Sequence, residues 1–162
     1  MFTIDASVHV SALNISEPDS VTSQAFVAYV IENAIPVIEP TLLLVEIAAA
    51  IARVFNNTVQ GVTLAQTIRM LPKHTWVALD DDLTDKALSL AAEHRLRGAD
   101  AIYAAVAHRH QTILVTLDQQ QLSRLPLPFI VRRPADVLQE IQIASPRQKR
   151  PTRRRKNPSS GK

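Results

Sequence analysis

The chain has 162 residues, 46% hydrophobic and 20% charged, enough for one domain with a sizeable core and short for two. Eight of its eighteen basic residues lie between Arg147 and Lys162, where there is no acid, so residues 1–146 hold ten basic residues against all fifteen acidic ones, a formal −5. That excludes a basic nucleic-acid-binding globule as the simple reading and leaves an acidic body with a basic arm; the absence of cysteine excludes a disulfide framework, a thiolate metal site and a cysteine nucleophile.

The start is a short apolar strand, Phe2-Thr3-Ile4, ending at Asp5. Asp5 also interrupts any secretory apolar run, so no signal peptide is expected. Ser7 to Leu13 reads as a helix and Asn14 to Asp19 as a loop. A longer helix follows from Asp19 or Ser20, with Phe26, Val27, Val30 and Ile31 on one face. Pro36-Val37-Ile38 is a second strand, closed by Pro40. Thr41 is placed to cap a helix running to Phe55 and stopped by Asn56-Asn57, and another helix is expected from Thr63 to Leu71. The window Thr41 to Ala52 is the most apolar, yet it contains Glu46 and stops at Arg53, too short to span a bilayer. A soluble, cytoplasmic protein is the expectation.

Trp76 to Leu79 is a third strand, and Asp80-Asp81-Asp82 introduces a helix from Leu83 to Leu96 that Gly98 breaks. Ala99 to His110 is an alanine-rich helix. Thr112 to Leu117 is the most strand-like segment; a turn or short helix through Gln121 leads to a final strand, Phe129 to Val131. Pro134 to Ile143 is a last helix, with Pro134 in its first turn. Strands alternating with helices predict an α/β fold with a mostly parallel sheet. Residues 1–144 form the expected domain, and 145–162, rich in Arg, Lys and Pro, the expected disordered arm.

Four acids stand out by context. Asp5 and Asp118 each end a strand, and in a parallel sheet both would lie on the carboxyl rim, where ligands bind at the point of strand-order reversal. Each is equally placed to act as a turn or cap residue. Glu46 interrupts a helix apolar on most faces, where an ionised carboxylate costs several kcal/mol, roughly, unless paired or coordinated; Arg53, seven residues on, is its alternative partner. Asp100 opens the alanine-rich helix, as a favourable partner of the helix dipole or as an acid aimed into a cleft.

Taken in order, Ile4-Asp5-Ala6-Ser7, Glu46 in its apolar helix, Ala99-Asp100-Ala101 and Val115-Thr116-Leu117-Asp118 resemble the motifs of PIN domains, and within them the VapC-type toxins of toxin–antitoxin pairs. The resemblance implies a three-layer α/β/α sandwich and a metal-dependent ribonuclease with Asp5, Glu46, Asp100 and Asp118 as its catalytic, metal-holding quartet. Ser7 and Thr116 match small hydroxyl positions beside the first and last acids. Gln119-Gln120-Gln121 follow the last acid without a further carboxylate, a departure that leaves no fifth acidic ligand. Four crowded carboxylates repel unless a cation neutralises them, and an all-oxygen set favours Mg²⁺ or Mn²⁺ over zinc. The resemblance further implies an RNA substrate, a homodimer and a small antitoxin covering the acidic site, with 25–31 and 48–55 as candidate interface faces that are equally plausible as core.

Other features read as structural. Asp80 to Asp82 suit a helix N-terminus; His108 and His110, two apart, face different ways on a helix; His9 and His94 read as surface or partly packed. Arg95, Arg97 and Arg109 stand near the Asp100 helix and could meet phosphates or solvent. In the arm, Arg153, Arg154, Arg155 and Lys156 offer a dense counter-charge for RNA, or serve only as a solubilising tail. A haloacid-dehalogenase phosphatase would need an acid where Ser7 stands, and a receiver module would need paired acids at the first strand. A housekeeping RNA-processing PIN nuclease and a catalytically silent PIN-like scaffold are the remaining alternatives.

Overall fold

The computed structural model describes residues 1–144; the basic arm, with Arg153, Arg154, Arg155 and Lys156, lies outside the described residues. Strands β1 (Phe2–Ile4), β2 (Val37–Pro40), β3 (His74–Val77), β4 (Ile113–Val115) and β5 (Val131–Arg132) form an all-parallel sheet in the order β3-β2-β1-β4-β5. The central register pairs Phe2 with both Val37 and Ile113, and Ile4 with Val115. Around the sheet lie α1 (Ala6–Leu13), α2 (Ser20–Glu32), α3 (Leu42–Phe55), α4 (Thr58–Arg69), α5 (Asp81–His94), α6 (Gly98–His110), α7 (Gln119–Arg124) and α8 (Pro134–Ala144).

The sheet is covered on both faces, so the central strands β1 and β4 are almost wholly apolar. Phe2, Ile4, Val37 and Val115 turn to one layer, where Val8 of α1, Phe26 and Val30 of α2, and Val137 of α8 meet them. Leu114 turns to the other, built from Leu43, Ile47 and Ile51 of α3, Leu83 and Leu90 of α5, and the alanines of α6. Helix α6 lies across β1, β2 and β4 and is buried along most of its length, its alanines Ala101, Ala104, Ala105 and Ala107 small enough for close packing. Fully burying each large aliphatic side chain stabilises the fold by about 1.5–3 kcal/mol. The architecture is the expected α/β/α sandwich.

Several boundaries differ from the sequence reading, each for a local reason. Helix α4 starts at Thr58 rather than Thr63 because Asn57 caps it, its Oδ1 accepting the Gln60 N–H at 3.0 Å. Helix α5 ends at His94 because Arg95 adopts a left-handed backbone (φ 54°) and its N–H closes on the Ala91 carbonyl; Gly98 begins the next helix instead of breaking this one. Thr41 precedes α3 without a side-chain cap bond. Strand β3 begins at His74, two residues early, paired with Val37. The final strand is shifted to Val131–Arg132, in register with Leu114 and Val115.

Strand β2 extends past Ile38 to include Glu39, a side chain with no solvent exposure. Its Oε1 meets His9 Nε2 of α1 at 3.0 Å, and its Oε2 lies 3.6 Å from His74 Nε2 of β3. His9 is therefore a buried partner of β2, not the surface or partly packed residue that its sequence context suggests. Of the two candidate interface faces, Phe26, Val30 and Ile51 are core, while Ile31, Val54 and Phe55 are exposed.

Candidate active site

The chain leaves β1 for β2 on one side and reaches β4 on the other, so strand order reverses between β1 and β4. Asp5 and Asp118 follow those two strands, and each serves as a helix cap. Asp5 Oδ1 accepts the Ser7 N–H at 2.8 Å, opening α1. Asp118 Oδ1 accepts the N–H groups of Gln120 and Gln121 at 2.7 and 3.1 Å, opening α7. The cap and rim readings of these acids thus coexist, because one oxygen caps and the other is left over. Ser7 and Thr116 fix the two turns: the Leu117 N–H donates to Ser7 Oγ at 3.1 Å and the Asp118 N–H to Thr116 Oγ1 at 3.0 Å.

The remaining oxygens of Asp5 and Asp100 are bridged by a single group. Gln121 Nε2 donates to Asp5 Oδ2 at 2.8 Å and to Asp100 Oδ1 at 3.1 Å. Asp100, in the first turn of α6, keeps its Oδ2 buried without a partner. Burial, then the charges of Asp118 and Asp5, pushes the Asp100 carboxyl above the ordinary carboxylate range, with the Gln121 bond and Arg97 pulling the other way. Glu46 projects from α3 and accepts a 2.6 Å hydrogen bond from the Tyr103 hydroxyl of α6 at Oε2, so its partner is Tyr103 rather than Arg53. Burial also pushes Glu46 up, and the Asp5 and Asp100 charges add to it, while the Tyr103 bond opposes. Tyr103, buried and facing those charges, has its own ionisation driven far upward and remains a donor.

Asp5 and Asp100 therefore converge on one amide, with Glu46 and Asp118 in electrostatic reach. Among the described residues, no three Asp, Glu or His side chains are gathered as a ready-made ion cage. The donor set nonetheless fits a hard cation: an all-carboxylate cluster, two members held above their ordinary pKa by burial and mutual charge, and one orphaned buried oxygen on Asp100. A cation there would relieve all three.

The side chains read as structural behave so. Asp80 caps α5 through the Leu83 N–H at 2.7 Å and receives a two-pronged contact from Arg109. His108 rests near the Phe129 ring rather than joining His110. Of Arg95, Arg97 and Arg109, Arg97 alone reaches an acid of the site: it is 70% exposed, and its Nη1 lies 3.7 Å from Asp118 Oδ2. A cavity of about 290 Å³ lined by Ala107, Thr112 and Phe129 opens at the amino ends of β4 and β5, remote from the acids.

Two contributors carry little sign of their role in the sequence. Tyr103 sits inside an alanine-rich run and reads as core. Gln121 reads as one of three equivalent glutamines; its one distinguishing signal is the spacing of three from a helix-capping aspartate, which turns it inward.

Comparison with known proteins agrees with this architecture. The PIN domain family profile matches residues 2–126. Among solved structures, the fold is similar to Mycobacterium tuberculosis VapC20, described as a sarcin-ricin loop cleaving toxin (TM-score 0.63, 16% identity, 76% of this chain and 94% of that one). It is similar to a chain of DNA-bound VapBC from Salmonella typhimurium (0.62, 10% identity, 82% and 97%) and of a Klebsiella pneumoniae toxin–antitoxin complex (0.58, 16% identity, 83% and 98%). The sequence finds no significant match among curated proteins. With the profile spanning most of the chain and the parallel sheet and its acidic rim in place, this protein belongs to the PIN domain family.

Proposed function

We propose that the chain is a Mg²⁺- or Mn²⁺-dependent endoribonuclease that hydrolyses RNA phosphodiester bonds, acting as the toxin of a type II toxin–antitoxin pair. The observation that carries this is the convergence of Asp5 and Asp100 on one point at the reversal of strand order, with a buried Asp100 oxygen left over. The similarity in fold to toxins solved with their antitoxins supports an antitoxin as partner, and the homodimeric assembly rests on the family resemblance alone. No helix of the described residues is long and apolar enough to cross a membrane.

Asp5 and Asp100 would hold the cation, with Asp118 and Glu46 completing its surroundings. A bound divalent ion would supply the acidification of a water and the neutralisation of charge at phosphorus. The protein's own groups do the rest. Tyr103 orients Glu46 through its hydroxyl, leaving that carboxylate placed to take a proton from an attacking water. Ser7 and Thr116 hold the two turns that aim Asp5 and Asp118. Arg97, exposed beside Asp118, is placed to contact a phosphate of the RNA.

The basic segment, Arg153 to Lys156, would add affinity for RNA without entering the chemistry. It has no aromatic side chain to stack on bases, so the gain should be indifferent to sequence. Each phosphate it neutralises would steepen the log–log salt dependence by roughly 0.7 on single strands. Truncation after Ala144 should weaken binding and flatten that slope with the saturated rate unchanged.

The central test is cleavage of RNA by purified protein. Activity dependent on Mg²⁺ or Mn²⁺, and lost with chelator and in Asp5→Ala, is expected; cleavage indifferent to both would refute the assignment. Toxicity on expression, relieved by a co-expressed neighbouring gene, separates a toxin from an RNA-processing nuclease.

A further inference from the structure

We infer that Gln121 is a built-in stand-in for the cation, a neutral donor that holds Asp5 and Asp100 together in the metal-free protein and must withdraw when an ion binds. The inference rests on the metal-dependent reading above and concerns a residue to which that reading gives no role.

Gln121 is fully buried, although glutamine is mostly an exposed residue. Its amide nitrogen lies in the gap between the two carboxylates, 2.8 Å from Asp5 Oδ2 and 3.1 Å from Asp100 Oδ1. Both bonds run to acceptors, so both amide hydrogens are spent on the acids. The other end of the amide has found nothing: Gln121 Oε1 is buried without a partner. An unsatisfied buried acceptor is unfavourable, so the side chain is held by the charge it faces rather than by its own surroundings. Its backbone is fixed independently, through the bond from its N–H to Asp118 Oδ1.

This arrangement has the electrostatic sense of a cation site filled by a weaker occupant. The –NH₂ group carries the positive end of the amide dipole and satisfies two acceptors from one point, as an ion would, but brings no net charge. The repulsion between the acids is therefore blunted, not removed, and Asp100 keeps one oxygen unpartnered. An ion coordinated by Asp5 and Asp100 needs the space and the lone pairs that the amide uses. Gln121 then competes with the ion, and a residue supplying an oxygen ligand would instead lie outside the gap.

The expected signature is a substitution that weakens the metal-free fold yet tightens ion binding. Gln121→Ala removes the side chain, and Gln121→Met keeps its length without the donor. Titration calorimetry with Mn²⁺ on the full-length chain should show both variants binding at least about tenfold more tightly than wild type, since each of the two hydrogen bonds given up runs to a charged group. Without added metal both should melt at a lower temperature than wild type, because Asp5 and Asp100 face each other unbridged. Wild type that binds Mn²⁺ while the variants bind equally or more weakly overturns the inference and leaves the metal-dependent reading standing. Absence of Mn²⁺ binding in wild type and variants alike removes the metal-dependent reading, and this inference with it.

Discussion

The Tyr103 hydroxyl reaches from α6 to Glu46 on α3 and donates a 2.6 Å hydrogen bond to Oε2, joining the helix that carries Asp100 to the helix that carries Glu46. Tyr103→Phe deletes the donor and leaves a half-buried carboxylate short of one partner. Stability should fall by about 1–3 kcal/mol, read from urea denaturation. The Glu46 carboxyl should titrate higher still, since the bond that opposes burial is gone. RNA cleavage should drop with it. Unchanged stability would mean that water replaces the phenol without cost.

Asp118→Asn separates charge from capping. An asparagine side-chain oxygen accepts the Gln120 and Gln121 N–H bonds as aspartate does, so α7 should keep its start. Removing a charge that Asp100 feels should leave metal-free stability unchanged or raised. Cleavage should nevertheless be lost, and the rise in melting temperature on adding Mg²⁺ should be smaller than in wild type. Equal shifts in the two proteins would rule out Asp118 as a contributor to the ion's surroundings.

Gly61 on α4 packs directly against α3. A Cβ there would sit 2.4 Å from the Ala48 carbonyl oxygen and 3.1 Å from the Ala52 Cβ. Gly61→Ala improves helix propensity by about 1 kcal/mol, but overpacking against a backbone carbonyl should outweigh that and leave a net loss of about 1–3 kcal/mol. Thermal melts of the pair test the sign. A stabilised variant would show that the α3–α4 pair spreads freely.

Asp80 carries the clearest pH signature. The Arg109 guanidinium, and then the Leu83 N–H, hold its carboxyl at about 2. A depressed acid stabilises the fold above its unfolded pKa of about 3.9, and that contribution is lost as pH falls through about 2. Carboxyl chemical shifts followed by NMR from pH 6 to pH 1.5 should show Asp80 titrating last among the exposed aspartates. In Arg109→Ala the midpoint should move up toward the ordinary range.

The parts legible in the sequence are those written in neighbouring residues. Asp5 and Asp118 stand at the ends of apolar strands, and Glu46 breaks an apolar helix, so each announces itself locally. The relations that decide the site are not local. Gln121 meets Asp5 across 116 positions and Asp100 across 21, and its spacing of three from Asp118 is all that sets it apart from Gln119 and Gln120 in the sequence. Glu39 next to Pro40 has the composition of a strand-ending turn; its pairing with Trp76 of β3 carries it into the sheet, where His9 and His74 meet its side chain. Helix ends failed for a similar reason, since Arg95 adopts the left-handed conformation that Gly98, three residues on, is chemically suited to.

The Glu39 contacts with His9 and His74 make three distant positions one heritable unit. Exchange of Glu39 or His9 alone, by drift or by grafting a relative's β2–α3 segment into this chain, strands a polar atom in the interior, a loss of about 1–3 kcal/mol. Exchange of His74 takes the neighbouring imidazole from Glu39 Oε2, which already lacks a hydrogen bond. Exchange of all three for apolar residues of matched volume removes the obligation altogether. Chimeras within this fold should therefore tolerate crossovers that keep α1, β2 and β3 from a single parent, and fail at those that divide them.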